Sequence, residues 1–209
     1  MLVPDIGPLL TGNRQMSNSI TTEDRGNALI VRFVRPEIRN PLSVAVLDEL
    51  HGIVDSLDGK PVIFTGQGGV FASGANLREI AGITAESAKE FAVYGQHLMA
   101  KISALRQTAI AAINGYCFGG ALDLALACDM RIASPRASFS HPGAGLGIVT
   151  GWGGTQRLPR LIGQAKAMEM FFTTTPIGAD EAVRIGLIDK IAEDLIAESL
   201  ANLSTSSSS

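Results

Sequence analysis

The sequence predicts one α/β domain. Three observations carry that prediction. Short β-rich apolar runs alternate with segments of helical periodicity; glycine-rich turns follow several of those runs; and 46% of the 209 residues are hydrophobic, enough for one sizeable core with room for a small appendage. Alternation of strand, helix and strand favours a parallel sheet with crossover helices.

The first run, NALIVRFV at 27–34, reads as a strand, and RPEIRNP at 35–41, bounded by two prolines that should prevent a helix, reads as an irregular loop. Ser43 can cap a helix whose apolar positions Val46, Leu50, Ile53, Val54 and Leu57 recur at helical spacing up to Gly59. PVIFT at 61–65 is a second strand, and GQGGVFASG at 66–74, with four glycines in nine residues, is a loop where backbone bends sharply or approaches something closely. Thr84 caps a long helix carrying Phe91, Tyr94, Leu98, Ile102 and Leu105 on one face. TAIAAI at 108–113 is a third strand; Gly119 and Gly120 precede an apolar helix at 121–128 that holds a single acid, Asp123. Short strands are expected at 130–133 and 137–140, a loop with six glycines at 142–154, and helices at 164–172 and 179–185. The serine-rich end cannot offset the entropy of its own ordering.

A net charge of -3 argues against a nucleic-acid or anionic-membrane surface, and no basic patch interrupts it. Cys117 and Cys128 sit in apolar sequence and read as small buried hydrophobes in a reducing compartment. With no apolar run long enough for a signal peptide or membrane span, cytoplasm is the expected location. Met16 is a plausible second start, so residues 1–26 are expected to be a flexible leader ahead of a core at 27–191.

A strand that ends in a Gly-Gly turn and runs straight into a helix leaves the N–H groups of the first helical turn pointing at one place. That arrangement suits an oxyanion, or else a tight helix-to-strand packing contact. The FASGAN loop at 71–76 could supply a second N–H, and two such loops at the carboxyl edge of a parallel sheet would make a two-donor hole.

These segments, in order and spacing, resemble the crotonase (enoyl-CoA hydratase/isomerase) family. FASGANL at 71–77 is similar to the family's FxxGADL/I loop, IAAINGYCFGGALDLALACD at 110–129 to its long central motif, 139–163 to the loop ending in GGTQRLPRLIG, and 177–189 to its later helical segment. The resemblance spans 27–191. It implies a repeated ββα superhelix, packed as trimers or as hexamers built from two trimers, that binds an acyl-CoA thioester and stabilises its enolate without a cofactor or metal. It places the two backbone donors on Ala75 and Gly120. Coenzyme A would run past Glu37, Ile38 and Arg39 and past Ala72, Ser73 and Gly74. His141, Gly143, Thr150 and Trp152 would border the acyl pocket.

Hydratases of the family use two glutamates around one water. The first maps onto Asp123, one methylene shorter and so withdrawn by roughly 1.5 Å; the second maps onto Gly143, which supplies no acid. Relatives with an aspartate matching Asp123 also need acids where Gly143 and Gly151 stand. His141 could face the same side as Gly143, as a base or as a packed ring. Family members continue as a helical lid, whereas 192–203 offers one short helix before the tail, so the expected fold is a superhelix with a shortened C-terminal helical region. Two functions remain open: a hydratase or double-bond isomerase with Asp123 as sole acid, or an acyl-CoA-binding or scaffold protein with little turnover.

Overall fold

The computed structural model describes residues 18–206. Its largest sheet has six strands in the order β1 (Ile20–Asp24), β2 (Leu29–Phe33), β4 (Val62–Gly66), β7 (Ala109–Ile113), β9 (Met130–Ala133) and β12 (Lys190–Ile191). Every pair from β2 onward is parallel, and β1 runs antiparallel along β2. A second sheet orders β11 (Ile177–Gly178), β10 (Ser138–Ser140), β8 (Tyr116–Phe118) and β5 (Val70–Ala72). A two-residue ladder joins β3 (Pro41–Leu42) to β6 (Gly74–Ala75).

The chain repeats one unit. A strand of the large sheet leads through a short turn into a strand of the second sheet and then into a helix: β4 and β5 precede α3 (Ala85–Ser103), β7 and β8 precede α4 (Gly120–Ala127), and β9 and β10 precede α5 (Gly154–Ile162). This is the ββα superhelix expected from the resemblance. The central strands read as continuous apolar runs because both faces of the large sheet are covered. Val62, Phe64, Ala109, Ala111 and Ile113 face the main core with α1 (Val44–Asp55), α3 and α4; Ile63, Ile110, Ala112 and Ile132 face Leu195 and Leu203 of α8 (Leu195–Ser206).

The helix starts follow the sequence closely. Ser43 accepts a hydrogen bond from Val46 N, and Thr84 forms a reciprocal capping box with Ser87. Helix α4 is hydrophobic on all sides, and Ala121 through Ala127 are all buried. It is the central rod of the fold, and Cys117 and Cys128 beside it are buried thiols.

Some expectations need correction. Ile20–Asp24, inside the stretch expected as a flexible leader, forms β1; only Ile20 is buried, so this polar edge strand lacks the alternation that would have announced it. Residues 1–17 of that leader lie outside the described residues. Two prolines do not prevent a helical turn at 35–41: Pro36–Ile38 is a 3-10 turn with proline in its first position, where the missing N–H is harmless. The glycine-rich loop at 66–74 contains β5 and enters β6, and the loop at 142–154 opens with a 3-10 turn, Pro142–Leu146, and closes at α5.

The turn around Arg39 is held by a side chain that motif reading passed over. Asn40 is buried in a left-handed conformation; its amide oxygen accepts from Arg35 N, and its NH2 donates to the carbonyls of Val70 and Phe71. Asn40 thus ties the 35–39 turn to β5, and Ser73 N bonds Arg39 O across the same junction.

Candidate active site

A largely apolar cavity of about 990 Å³ opens between α3, α4, α5, the 142–153 loop and α6 (Gln164–Thr173). Ser73, Ala75, Gly120, His141, Gly143, Thr150 and Trp152 all line it. Sequence segments more than 70 residues apart therefore meet at one place, at the carboxyl edge of the parallel strands.

Bare α-carbons make the convergence possible. Gly74 has φ +88°, and a Cβ there would fall 2.6 Å from Phe118 O and 2.8 Å from Gly120 N. Only glycine lets β6 press against the start of α4. The Ala75 nitrogen lies 3.4 Å from where a Cβ on Gly120 would stand. Gly119, at φ 54°, turns the chain from β8 into α4, so that the first amides of that helix, which have no intrahelical acceptor, face the same wall.

Trp152 stands against that wall. Its six-membered ring comes within 2.4 Å of a Cβ position on Gly120, and its five-membered ring within 2.2 Å of one on Gly95, in the middle of α3. The indole is clamped between two glycines and tilted against Phe91 with ring centroids 5.6 Å apart. It both borders the cavity and packs the helix pair together. Gly95 is the residue motif reading missed here, although a glycine inside an amphipathic helix is itself a signal of close packing.

Asp123 is fully buried and is not among the residues that line the cavity. Two residues that do line it cover its oxygens. The Thr150 hydroxyl donates to Oδ2, and His141 Nε2 stands 3.6 Å from Oδ1. Gly154 at the start of α5 leaves room for the group: a Cβ on it would fall 2.1 Å from Asp123 Oδ1 and 3.0 Å from His141 Cε1. Burial raises the Asp123 carboxyl to about 7, against the Thr150 hydroxyl, the Trp152 and Gly154 amides and Arg157, which all favour the ionised form. Burial lowers His141 to about 4.

At Gly143 no side chain fits without movement, because a Cβ would lie 2.6 Å from Ile148 O. Gly151 differs: its nearest neighbour would be Ala92 Cβ at 3.5 Å, an ordinary contact. Of the remaining candidates, Ala72 and Gly74 are buried behind the cavity wall. Glu37, Ile38 and Arg39 do not line the cavity; they form an exposed turn joined to its edge by the Ser73 N to Arg39 O bond, with Glu37 paired to Arg35 and Arg39 stacked over Tyr116 at 5.7 Å. Among the described residues no group of three or more His, Cys, Asp or Glu could hold a metal, and no helix is long and apolar enough to cross a membrane.

The sequence model of the enoyl-CoA hydratase/isomerase family matches residues 23–203. The chain belongs to this family, the crotonases. The crotonase is 37% identical over 181 residues to a short-chain-enoyl-CoA hydratase from Clostridium acetobutylicum, covering 84% of this chain and 69% of that protein. It is 38% identical over 187 residues to a crotonyl-CoA hydratase from Syntrophomonas wolfei, with 86% and 72% covered. Its fold matches the crystal structure of an enoyl-CoA hydratase from Bacillus anthracis with a TM-score of 0.85 at 35% identity, over 91% of this chain and 77% of that one. Within this crotonase, Gly143 carries no side chain, and Thr150 and His141 stand between Asp123 and the cavity.

Proposed function

We propose that this crotonase binds an acyl-CoA thioester and stabilises its enolate, acting as a hydratase or double-bond isomerase on enoyl-CoA. The observation that carries the reading is the docking of Ala75 against Gly120 at the wall of an apolar cavity, made possible by the bare α-carbon of Gly74. Two amides there would receive the thioester oxygen, and one such donor is typically worth about 2.7 to 4 kcal/mol in the transition state. Ser73 borders the cavity beside them, and the exposed Glu37–Arg39 turn, braced by Asn40, offers the path for coenzyme A. Among the described residues Asp123 is the one carboxyl at the site, behind Thr150 and His141. The chemistry needs no cofactor beyond the coenzyme A of the substrate.

A second reading, acyl-CoA binding with little turnover, is favoured by one observation: Gly143 leaves the position of a second acid bare. The assay that separates the two is hydration of crotonyl-CoA, followed by loss of the conjugated thioester absorbance, alongside calorimetric binding of the same compound. Binding with measurable hydration supports the enzyme; binding without hydration or isomerisation leaves the second reading; no binding removes both.

Assembly into a trimer or hexamer accompanies the proposal. Leu146, Val149, Met168 and Phe172 are exposed around the cavity, Phe172 by 70% and Val149 by 74%, and apolar surface of that kind is what neighbouring subunits cover. Sedimentation as a monomer would contradict it. Two buried unpaired thiols accord with the cytoplasm as location.

A further inference from the structure

The cavity wall holds very little acid–base capacity. Among its described lining residues, His141 is the one side chain able to take up and release a proton, and Arg160 the one fixed charge. Asp123 cannot meet a ligand directly, because Thr150 occupies Oδ2 and His141 stands before Oδ1.

His141 is itself oddly placed for a packing residue. Its ring is 3% exposed and lies against Phe171 of α6, with centroids 5.0 Å apart, a contact that phenylalanine would make equally well. Yet Nδ1, Nε2 and the facing Asp123 Oδ1 are all buried without a hydrogen-bond partner. A buried polar atom left in that state forfeits the hydrogen bonds that water would have given it. One proton shared between Oδ1 and Nε2, with a small closure of the 3.6 Å gap, satisfies two of the three. Nδ1 is then the nitrogen the protein leaves unused.

We propose that His141 is the proton-transfer residue of this site, exchanging a proton with the α carbon of an acyl-CoA held at Ala75 and Gly120, and that Asp123 is its positioning residue. The proposal rests on the acyl-CoA reading. In the forward step the α C–H bond breaks and Nδ1 takes the proton. The bond's electron pair forms the enolate, whose charge falls on the thioester oxygen at the two amides. The imidazolium charge is met by the Asp123 carboxylate through Nε2–H. The reverse step returns a proton to carbon, and nothing is oxidised or reduced. A pair holding only the Nε2 proton acts as base, and a pair holding a second proton acts as acid. The charged and titratable neighbours are Arg157, which favours the ionised carboxyl, and Cys117, a buried thiol raised well above its usual range; Phe171 on the far side of the ring is neutral.

The test is deuterium wash-in at the α carbon of butyryl-CoA in heavy water, read by mass spectrometry, with binding measured by calorimetry. The unsubstituted protein should exchange, faster as pH rises through neutrality. His141→Gln should still bind butyryl-CoA by calorimetry and, at saturating ligand, exchange at least ~100-fold more slowly, the low end for general acid–base assistance. Asp123→Asn should slow exchange and displace the midpoint of the pH profile, which a merely structural role would not do. His141→Gln that binds and exchanges like the unsubstituted protein overturns the proposal while leaving the acyl-CoA reading intact. Failure of the unsubstituted protein to bind butyryl-CoA overturns both. Should His141→Gln not fold, the 15N ring signals of the unsubstituted protein decide: those of His141 must move on adding butyryl-CoA, and unmoved signals overturn the proposal.

Discussion

Replacing Gly95 by alanine should change sign with the residue at position 152. Alanine in a helix interior is favoured over glycine by about 1 kcal/mol, and Gly95 has ordinary helical backbone. The new methyl, however, would sit 2.2 to 2.5 Å from Cδ1, Nε1 and Cγ of Trp152. Carbon atoms pack at about 3.5 to 4.0 Å, so the overlap exceeds 1 Å by a rough margin. The indole cannot retreat, because its other edge already touches Gly120, where a Cβ position lies 2.4 Å away. Overpacking of this kind costs about 1 to 3 kcal/mol, which leaves Gly95→Ala destabilising by up to ~2 kcal/mol. Trp152→Ala alone should cost about 3 to 5 kcal/mol as a buried aromatic truncation. In that background the clash is gone, and adding Gly95→Ala should stabilise by up to ~1 kcal/mol. Urea unfolding of the four proteins in the cycle gives the coupling directly. If Gly95→Ala stabilises equally with and without the tryptophan, the clamp around the indole is not the packing described.

Two further predictions concern the buried pair and the missing acid. The raised carboxyl of Asp123 holds a proton in the folded state that the unfolded chain releases near pH 4, so alone it makes stability fall as pH rises from about 4 to about 7. His141, lowered to about 4, refuses a proton that the unfolded chain accepts near pH 6.5, so alone it makes stability fall as pH drops across that window. The two slopes oppose each other in the unsubstituted protein. His141→Gln should expose the first slope and Asp123→Asn the second, each up to about 1.4 kcal/mol per pH unit in thermal or urea unfolding; parallel profiles for all three proteins would contradict the pairing. At the glycines, Gly143→Glu must displace the Ile148 carbonyl and should cost about 1 to 3 kcal/mol, whereas Gly151→Asp meets only Ala92 at contact distance and should be nearly neutral. Equal losses in thermal unfolding would show that the loop does not have this shape.

The central parallel strands were legible because they are buried on both faces and read as unbroken apolar runs, VIFTG of β4 and AIAAI of β7, whereas β12, two residues long and half exposed, was not. Of the second sheet only β10 falls in a stretch read as a strand, at 137–140; β5, β8 and β11 are two or three residues long, too short for any period to register. Helix α5 escaped because it begins in Gly153 and Gly154, carries Pro159 inside, and buries only Gly154 and Leu158. At the site, the glycine turns and the family motifs brought Ala75, Gly120, His141, Gly143, Thr150 and Trp152 to one cavity in advance. The complete burial of Asp123 was not readable, since a lone acid on an apolar helix looks the same whether it faces a ligand or a histidine. The exposed placement of Glu37–Arg39 and the bracing by Asn40 depend on a left-handed turn at Arg39 and Asn40, for which the asparagine was the one available sign.

The central claim, that this cavity takes an acyl-CoA, can be tested through its own tryptophan. Trp152 is the chain's one tryptophan and borders the cavity beside Gly120. Titration with butyryl-CoA should therefore give a saturable change in intrinsic fluorescence, reproduced by calorimetry and reversed by dilution. Free coenzyme A should bind more weakly, because it lacks the thioester carbonyl that the amides of Ala75 and Gly120 would receive. A fluorescence signal indifferent to millimolar butyryl-CoA, together with no heat of binding, would contradict the account.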